Sequence, residues 1–227
     1  MEISYYGHSS FVFDLGKKVM TDPFITGNEL AKDIVDVDAI KADYILLSHG
    51  HQDHVLDVER VVQNNPECQI VANFEIVSSF GAKGLKGHPM NTGGKWSFEF
   101  GEVKCVNAVH SNTLPDGSYA GSAMGFVVKS DSGKFYFAGD TALTMDMKLI
   151  PMICGELDFA ILPIGDNFTM GIQDAILASD FIGCDKIVGC HFDTFGYIKI
   201  DHQAAVDAFK AKGKELILMD INSTRNI

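Results

Sequence analysis

No stretch of this chain stays apolar long enough to cross a bilayer, which excludes a helical membrane span. The first eight residues, Met1 to His8, lack the basic segment and apolar run of an export signal. Basic residues are scarce: 18 Lys and Arg stand against 30 Asp and Glu, a net charge of −12. That balance argues against nucleic acid as the main partner, because phosphate binding needs clustered Lys and Arg. Cys68, Cys105, Cys154, Cys184 and Cys190 are odd in number and form no CxxC pair, so free thiols in a reducing compartment are expected. There is no internal repeat, low-complexity tract or linker, and one domain over residues 1–227 is expected. These absences together describe a cytoplasmic protein with a small-molecule partner, no nucleic acid and no membrane. Association into a homo-oligomer is left open.

What is present is an ordinary globular balance, 46% hydrophobic and 21% charged, with the patterning of alternating strands and helices. β-Formers predict strands at Ile3–Tyr6, Phe11–Leu15 and Val19–Thr21, with a turn at Gly16-Lys17-Lys18. Tyr44–Ser48 is a nearly continuous apolar strand, as expected where both faces are covered. Val55, Val58, Val61 and Val62 recur at helical spacing until Asn64-Asn65-Pro66. Short strands at Gln69–Ala72, Trp96–Phe100, Val103–Val109, Gly125–Lys129 and Phe135–Ala138 follow, with a helix over Phe74–Phe80. Beyond them helices near Asp146–Cys154, Ile172–Ile182 and Gln203–Lys212 alternate with strands at Phe159–Leu162, Lys186–Cys190 and Glu215–Met219. Strand-rich segments interleaved with single helices predict two sheets flanked by helices.

The densest chemistry lies in His49-Gly50-His51-Gln52-Asp53-His54, straight after the strand Tyr44–Leu47. Imidazole and carboxylate are ligands that divalent transition metals accept at neutral pH. His110, Asp140 and His191 each follow a predicted strand as well, and loops at strand ends are where α/β proteins gather their sites. Each residue has a plainer reading. Asp53 could cap a helix, Asp140 in Gly139-Asp140-Thr141 could sit in a turn, and His54, His110 and His191 taken singly are ordinary histidines. Their joint placement is what points to a metal site.

HxHxDH followed by a lone His, Gly-Asp-Thr and a final His resembles the metallo-β-lactamase-fold hydrolases, over nearly the whole chain. The nearer similarity is to a small, uncharacterised bacterial and archaeal branch related to ascorbate-phosphate lactonases. It is carried by Tyr6–Phe11, Thr21–Phe24, Asn91–Gly94, Tyr119–Gly121, Ala138–Thr141, Asp146–Ile150 and Leu162–Gly171. The resemblance implies an α/β four-layer αββα sandwich with a metal centre at one edge of the paired sheets. It implies that His49, His51 and His110 hold one ion, that Asp53, His54 and His191 hold a second, and that Asp140 bridges them. The cofactors are then two divalent ions, Zn²⁺ foremost, with Mn²⁺, Fe²⁺ or Ni²⁺ as alternatives. Two such ions roughly 3.5–4 Å apart activate a water as hydroxide, with Asp53 and Asp140 in the catalytic set.

Other residues invite a role. His8 is placed near the metal edge, as a hydrogen-bond donor to a ligand, a substrate contact or a structural histidine bonded to Asp22. Asp22 is itself a candidate for orienting a ligand, and Asp166 and Asn167, beyond the strand at Phe159–Leu162, for lining the pocket. His202 could donate a proton to the leaving group or simply open an exposed helix. His88 reads as peripheral, and Cys190 as an inert thiol facing away from His191.

The leading function is hydrolysis of a small ester, lactone, phosphoester or amide by a two-metal hydroxide. The same fold hosts redox enzymes, and a mononuclear iron sulfur dioxygenase is the alternative; metal analysis with an oxygen electrode separates the two. A non-catalytic metal-binding protein is the third reading, weakened because every expected ligand is intact.

Overall fold

In the computed structural model, which describes residues 1–227, apolar side chains alternate along most strands between two destinations. The chain runs through β1 (Glu2–Tyr5), β2 (Phe11–Asp14), β3 (Lys18–Thr21), β4 (Tyr44–Leu46), α1 (Gln52–Val55), α2 (Val58–Asn64), β5 (Gln69–Asn73), α3 (Phe74–Ala82) and β6 (Gly87–Met90). It continues through β7 (Lys95–Phe98), β8 (Gly101–Asn107), β9 (Met124–Ser130), β10 (Gly133–Phe137), α4 (Leu149–Cys154) and β11 (Phe159–Pro163). It ends with α5 (Ile172–Ile182), β12 (Lys186–Cys190), α6 (His202–Lys210), β13 (Glu215–Ile217) and β14 (Ser223–Asn226). One seven-stranded sheet is ordered β14-β1-β2-β3-β4-β5-β6, the other β13-β12-β11-β10-β9-β8-β7.

The period-2 side-chain direction of a strand sorts the core into layers. Phe11 and Phe13 of β2, Tyr44 and Leu46 of β4, Phe135 and Phe137 of β10 and Phe159 and Ile161 of β11 meet between the sheets. Phe135 stacks on Phe13 at 4.4 Å and on Phe159 at 5.2 Å, tying one sheet to the other. Burying each such ring contributes about 2–3 kcal/mol. The residues between them face outward. Ile45, Ile70 and Ala72 pack under α1–α3, and Tyr136, Ala160 and Leu162 pack under α4–α6. The result is the four-layer αββα sandwich.

Strand direction then decides where the site lies. β3 to β6 are parallel, and two antiparallel steps through β2 make β1 run with β3. β10 to β13 are likewise parallel, and β8 runs with β10 through β9. The carboxyl ends of β1, β3 and β4 therefore share one edge, as do those of β8, β10 and β12. The two edges meet: the His191 amide donates to the His8 carbonyl at 3.0 Å, and the Met124 amide to the Ser48 carbonyl at 3.0 Å.

Two local departures from expectation have clear causes. The valine stripe from 55 to 62 is carried by two helices, because Asp57 turns its carboxylate away from the helix. It accepts from the Ile25 amide at 2.6 Å, the Thr26 amide at 2.9 Å and the Thr26 hydroxyl at 2.6 Å, and is buried. Strands β6 and β14 were not expected. Both are edge strands, where Pro89 is tolerated and a polar run such as Ser223–Asn226 needs no buried face. Asp57→Ala should cost about 2–4 kcal/mol, since three donors lose a charged acceptor in a buried loop; urea unfolding measures it, and a loss below 1 kcal/mol would contradict this role.

Candidate metal centre

The sharp path of residues 48–51 depends on Gly50. A Cβ there would lie 2.8 Å from the Ala120 Cβ and 3.1 Å from the Thr113 carbonyl, and the Gly50 amide donates to the Asn112 side-chain oxygen at 2.7 Å. Gly139 plays the same part before Asp140: its φ is +60°, and a Cβ would meet Ser48. Both histidines and the aspartate are thus aimed by loops that side chains would block.

Around these loops the ligand-type atoms fall into groups. Those of His49, His51 and His110 lie within 4.8 Å of one another, as do those of His8, Asp53, His54 and His191. Between the groups stands Asp140. Its Oδ2 lies 3.0 Å from His191 Nε2, 3.4 Å from His54 Nε2, 3.5 Å from His110 Nε2 and 3.9 Å from His49 Nε2.

The hydrogen bonds behind the rings set their tautomers. Asp22, fully buried, accepts from the Ser48 amide at 2.8 Å, the Ser48 hydroxyl at 2.6 Å and His54 Nδ1 at 2.8 Å. The single Ser48 hydroxyl proton is engaged in donating to Asp22, so the Ser48 oxygen accepts from His49 Nδ1 at 3.0 Å. His54 and His49 therefore present unprotonated Nε2 atoms to the centre when neutral. His49 Nε2 lies 3.0 Å from His51 Nδ1. His54 Nε2 and Asp140 Oδ1 are buried with no hydrogen-bond partner. Orphaned donors of this kind, backed by a carboxylate–histidine relay, are the environment a divalent ion satisfies. The residues fit a metal.

Asp53 and His8 form the remaining wall. His8 Nε2 donates to Asp53 Oδ2 at 3.1 Å, and its Nδ1 accepts from the Thr194 hydroxyl at 3.0 Å. The alternative of His8 bonding Asp22 is not what forms; His54 takes that carboxylate instead. Asp53 sits inside the first turn of α1 and caps nothing. His202 lies outside the cavity, exposed at the start of α6, and bonds Asp193 at 2.6 Å. Asp166 and Asn167 also stay outside it; their left-handed backbone (φ 63° and 56°) turns the loop that carries Phe168 to its mouth. Cys190 is buried between the sheets, and His88 of β6 packs on Trp96 of β7. Ser48, Asn112 and Thr194 escaped sequence reading. Isolated Ser, Asn and Thr in loops carry no spacing signal, although Thr194 does follow His191 closely.

The electrostatics reflect three carboxylates, Asp22, Asp53 and Asp140, and no Lys or Arg lining the cavity. Burial alone would lower His191, but Asp140 and Asp53 beside it push it up to about 9, and Asp140 and Asp22 likewise raise His54 against its burial. Burial would raise Asp140, yet His191 and His54 hold it well below the usual carboxylate range. Burial keeps His49 neutral, and with His191 it lowers His8 to about 3. Without an ion, protons on His54 and His191 supply the positive charge that the carboxylates require.

A family model described as "Beta-lactamase superfamily domain" matches residues 17–192. A UPF0173 metal-dependent hydrolase of Christiangramia forsetii is 58% identical over 225 residues, covering 99% of both chains. One from Thermus thermophilus is 42% identical over 218 residues, covering 95% of this chain and 94% of that one. Among solved structures, Igni18, a metallo hydrolase from Ignicoccus hospitalis, superposes with a TM-score of 0.88 at 28% identity, covering 99% of this chain and 97% of that one.

A metal-free sample should lose stability as pH rises from about 6.5 towards 9. A raised histidine stabilises the fold below its ordinary value of 6.5, and that contribution is gone above its folded value near 9. His8 and His49, which are lowered, act in the acid range and leave this window to His54 and His191. Thermal unfolding with and without added Zn²⁺ measures this, and the loaded protein should show no such fall; a metal-free Tm flat across the window would contradict the charge assignment.

Proposed function

From the membership of this chain in the UPF0173 metal-dependent hydrolases of the metallo-β-lactamase superfamily, we propose that it cleaves a small ester, lactone, phosphoester or amide at a two-metal centre. His49, His51 and His110 would hold one ion, Asp53, His54 and His191 the other, with Asp140 between them. The observation that carries this reading is the position of Asp140 Oδ2, within 3.9 Å of imidazole nitrogens from both groups. Divalent ions bound there would polarise the scissile carbonyl or phosphoryl group and bring the pKa of a water towards neutrality.

The chain's own residues do the rest. Asp22 holds His54, and through Ser48 it holds His49, so both rings direct Nε2 towards the ions. Asp53 lines the cavity and its carboxylate is oriented by His8 through Oδ2, which would place it to take the proton of the attacking water and return it to the leaving group. His8, neutral and braced by Thr194, positions that carboxylate without neutralising it. The cavity, about 850 Å³, lies directly over Asp53, Asp140, His110 and His191.

Asp140→Ala should strip metal from the protein and lower kcat/KM by about a thousandfold or more, reflecting loss of a shared ligand. Elemental analysis of purified wild type is expected to show two ions per chain. Retention of metal and turnover by the variant, or full activity with one ion, would defeat the two-metal assignment.

A further inference from the structure

We propose that the substrate is an uncharged carbonyl compound bearing an aromatic or branched apolar group, which the cavity wall receives while its carbonyl meets the metal centre. The inference rests on the hydrolase reading above and narrows it. Beyond the metal-facing residues, the large side chains lining the cavity are Phe24, Leu56, Phe168, Phe195 and Tyr197.

All five line the same cavity as Asp53, Asp140, His110 and His191. The rings of Phe24 and Phe195 both pack edge-on against His8, at 5.5 Å each, and lie 6.2 Å apart. Farther out, Phe168 and Tyr197 come from separate loops and meet edge-on at 6.4 Å. These two are 51% and 80% exposed, so beyond their contact with each other the mouth presents aromatic area to solvent. Their loops are held in place. The Met170 amide donates to the Thr141 carbonyl, and Asp193 accepts from the Ile200 amide and His202. An anchored, solvent-exposed aromatic mouth over the metal-facing residues favours an apolar group that leaves water there.

Charge selects further. None of the fifteen lining residues is Lys or Arg, and the whole chain carries −12. Away from the metal-facing residues, a carboxylate or phosphate on the substrate would enter this cavity with no lysine or arginine to receive it. Lys199, two residues beyond Tyr197, lines the adjoining cavity that this ring also borders, with Asp166, Asp174 and Asp201. The volume of about 850 Å³ leaves room for a ring beside the scissile bond.

The test is a matched set of γ-butyrolactones, unsubstituted or carrying a phenyl or a phosphooxymethyl group at the γ carbon, offered to the metal-loaded protein. Both kcat/KM and the order of binding by ligand-observed NMR are read. The phenyl lactone should exceed the parent about tenfold and the phosphorylated one should fall below it. Replacing Phe168 and Tyr197 together by Ala should erase the phenyl preference while metal content stays at the wild-type level. A preference for the phosphorylated lactone, or a phenyl preference that survives the double substitution, would overturn the assignment. Should no lactone open, the expected binding order would still uphold the apolar cavity while counting against lactone hydrolysis.

Discussion

Buried negative charge without a resident cation is the constraint on which the active edge depends. Asp22 and Asp140 are almost wholly buried, Asp53 stands beside them, and no lysine or arginine lines their cavity. Carboxylates so placed are costly unless something positive shares the space. In the metal-free chain His54 and His191 carry that charge as protons. A divalent ion bound there would supply it more fully and release those protons, so metal binding and imidazole ionisation would be one equilibrium seen from two sides.

Holding that charge in register demands unusual backbone. His8, Asp22, Asp166, Asn167, His191 and Asp193 all have positive φ, and all lie at the reacting edge or in the loops around it. Such conformations are unfavourable for residues other than glycine and persist where the surroundings over-determine them. The surroundings here are the parallel strand ends. β1 and β12, from different sheets, deliver His8 and His191 already joined by a backbone hydrogen bond, and stacking of Phe13, Phe135 and Phe159 keeps the sheets from sliding. Hydrophobic packing between the sheets thus provides the rigidity that strain at the edge consumes.

The same layering explains what could be read from the sequence. Apolar strands such as Tyr44–Leu46 and Phe159–Pro163 announce themselves because both faces are covered, and a ligand-type residue just beyond a strand is a signal that survives without coordinates. His49, His51, Asp53, His54, His110, Asp140 and His191 were singled out in this way, and the structure gathers all seven. What stayed hidden depends on pairs distant in sequence. Thr194 supports His8 across 186 residues, Asp57 interrupts the α1–α2 run to serve Ile25 and Thr26, and the aromatic wall draws on residues from 24 to 197. No local spacing encodes such contacts. Edge strands β6 and β14 were illegible for the opposite reason, since an edge imposes little pattern on its sequence.

The loop after His191 joins reactivity to selectivity. Its Thr194 braces the His8 ring that orients Asp53, while Phe195 and Tyr197, one and three residues on, form the apolar wall. A ligand group that moved this wall would also move the hydroxyl behind His8. The Phe168 loop is anchored differently, through Thr141 beside Asp140, and touches neither His8 nor Asp53 in its hydrogen bonding. Changes at Phe168 should alter which apolar group is accepted with little consequence for proton transfer. Changes between Asp193 and Tyr197 should alter both together, because in the proposed reaction one short segment would hold Asp53 in place through His8 and receive the substrate.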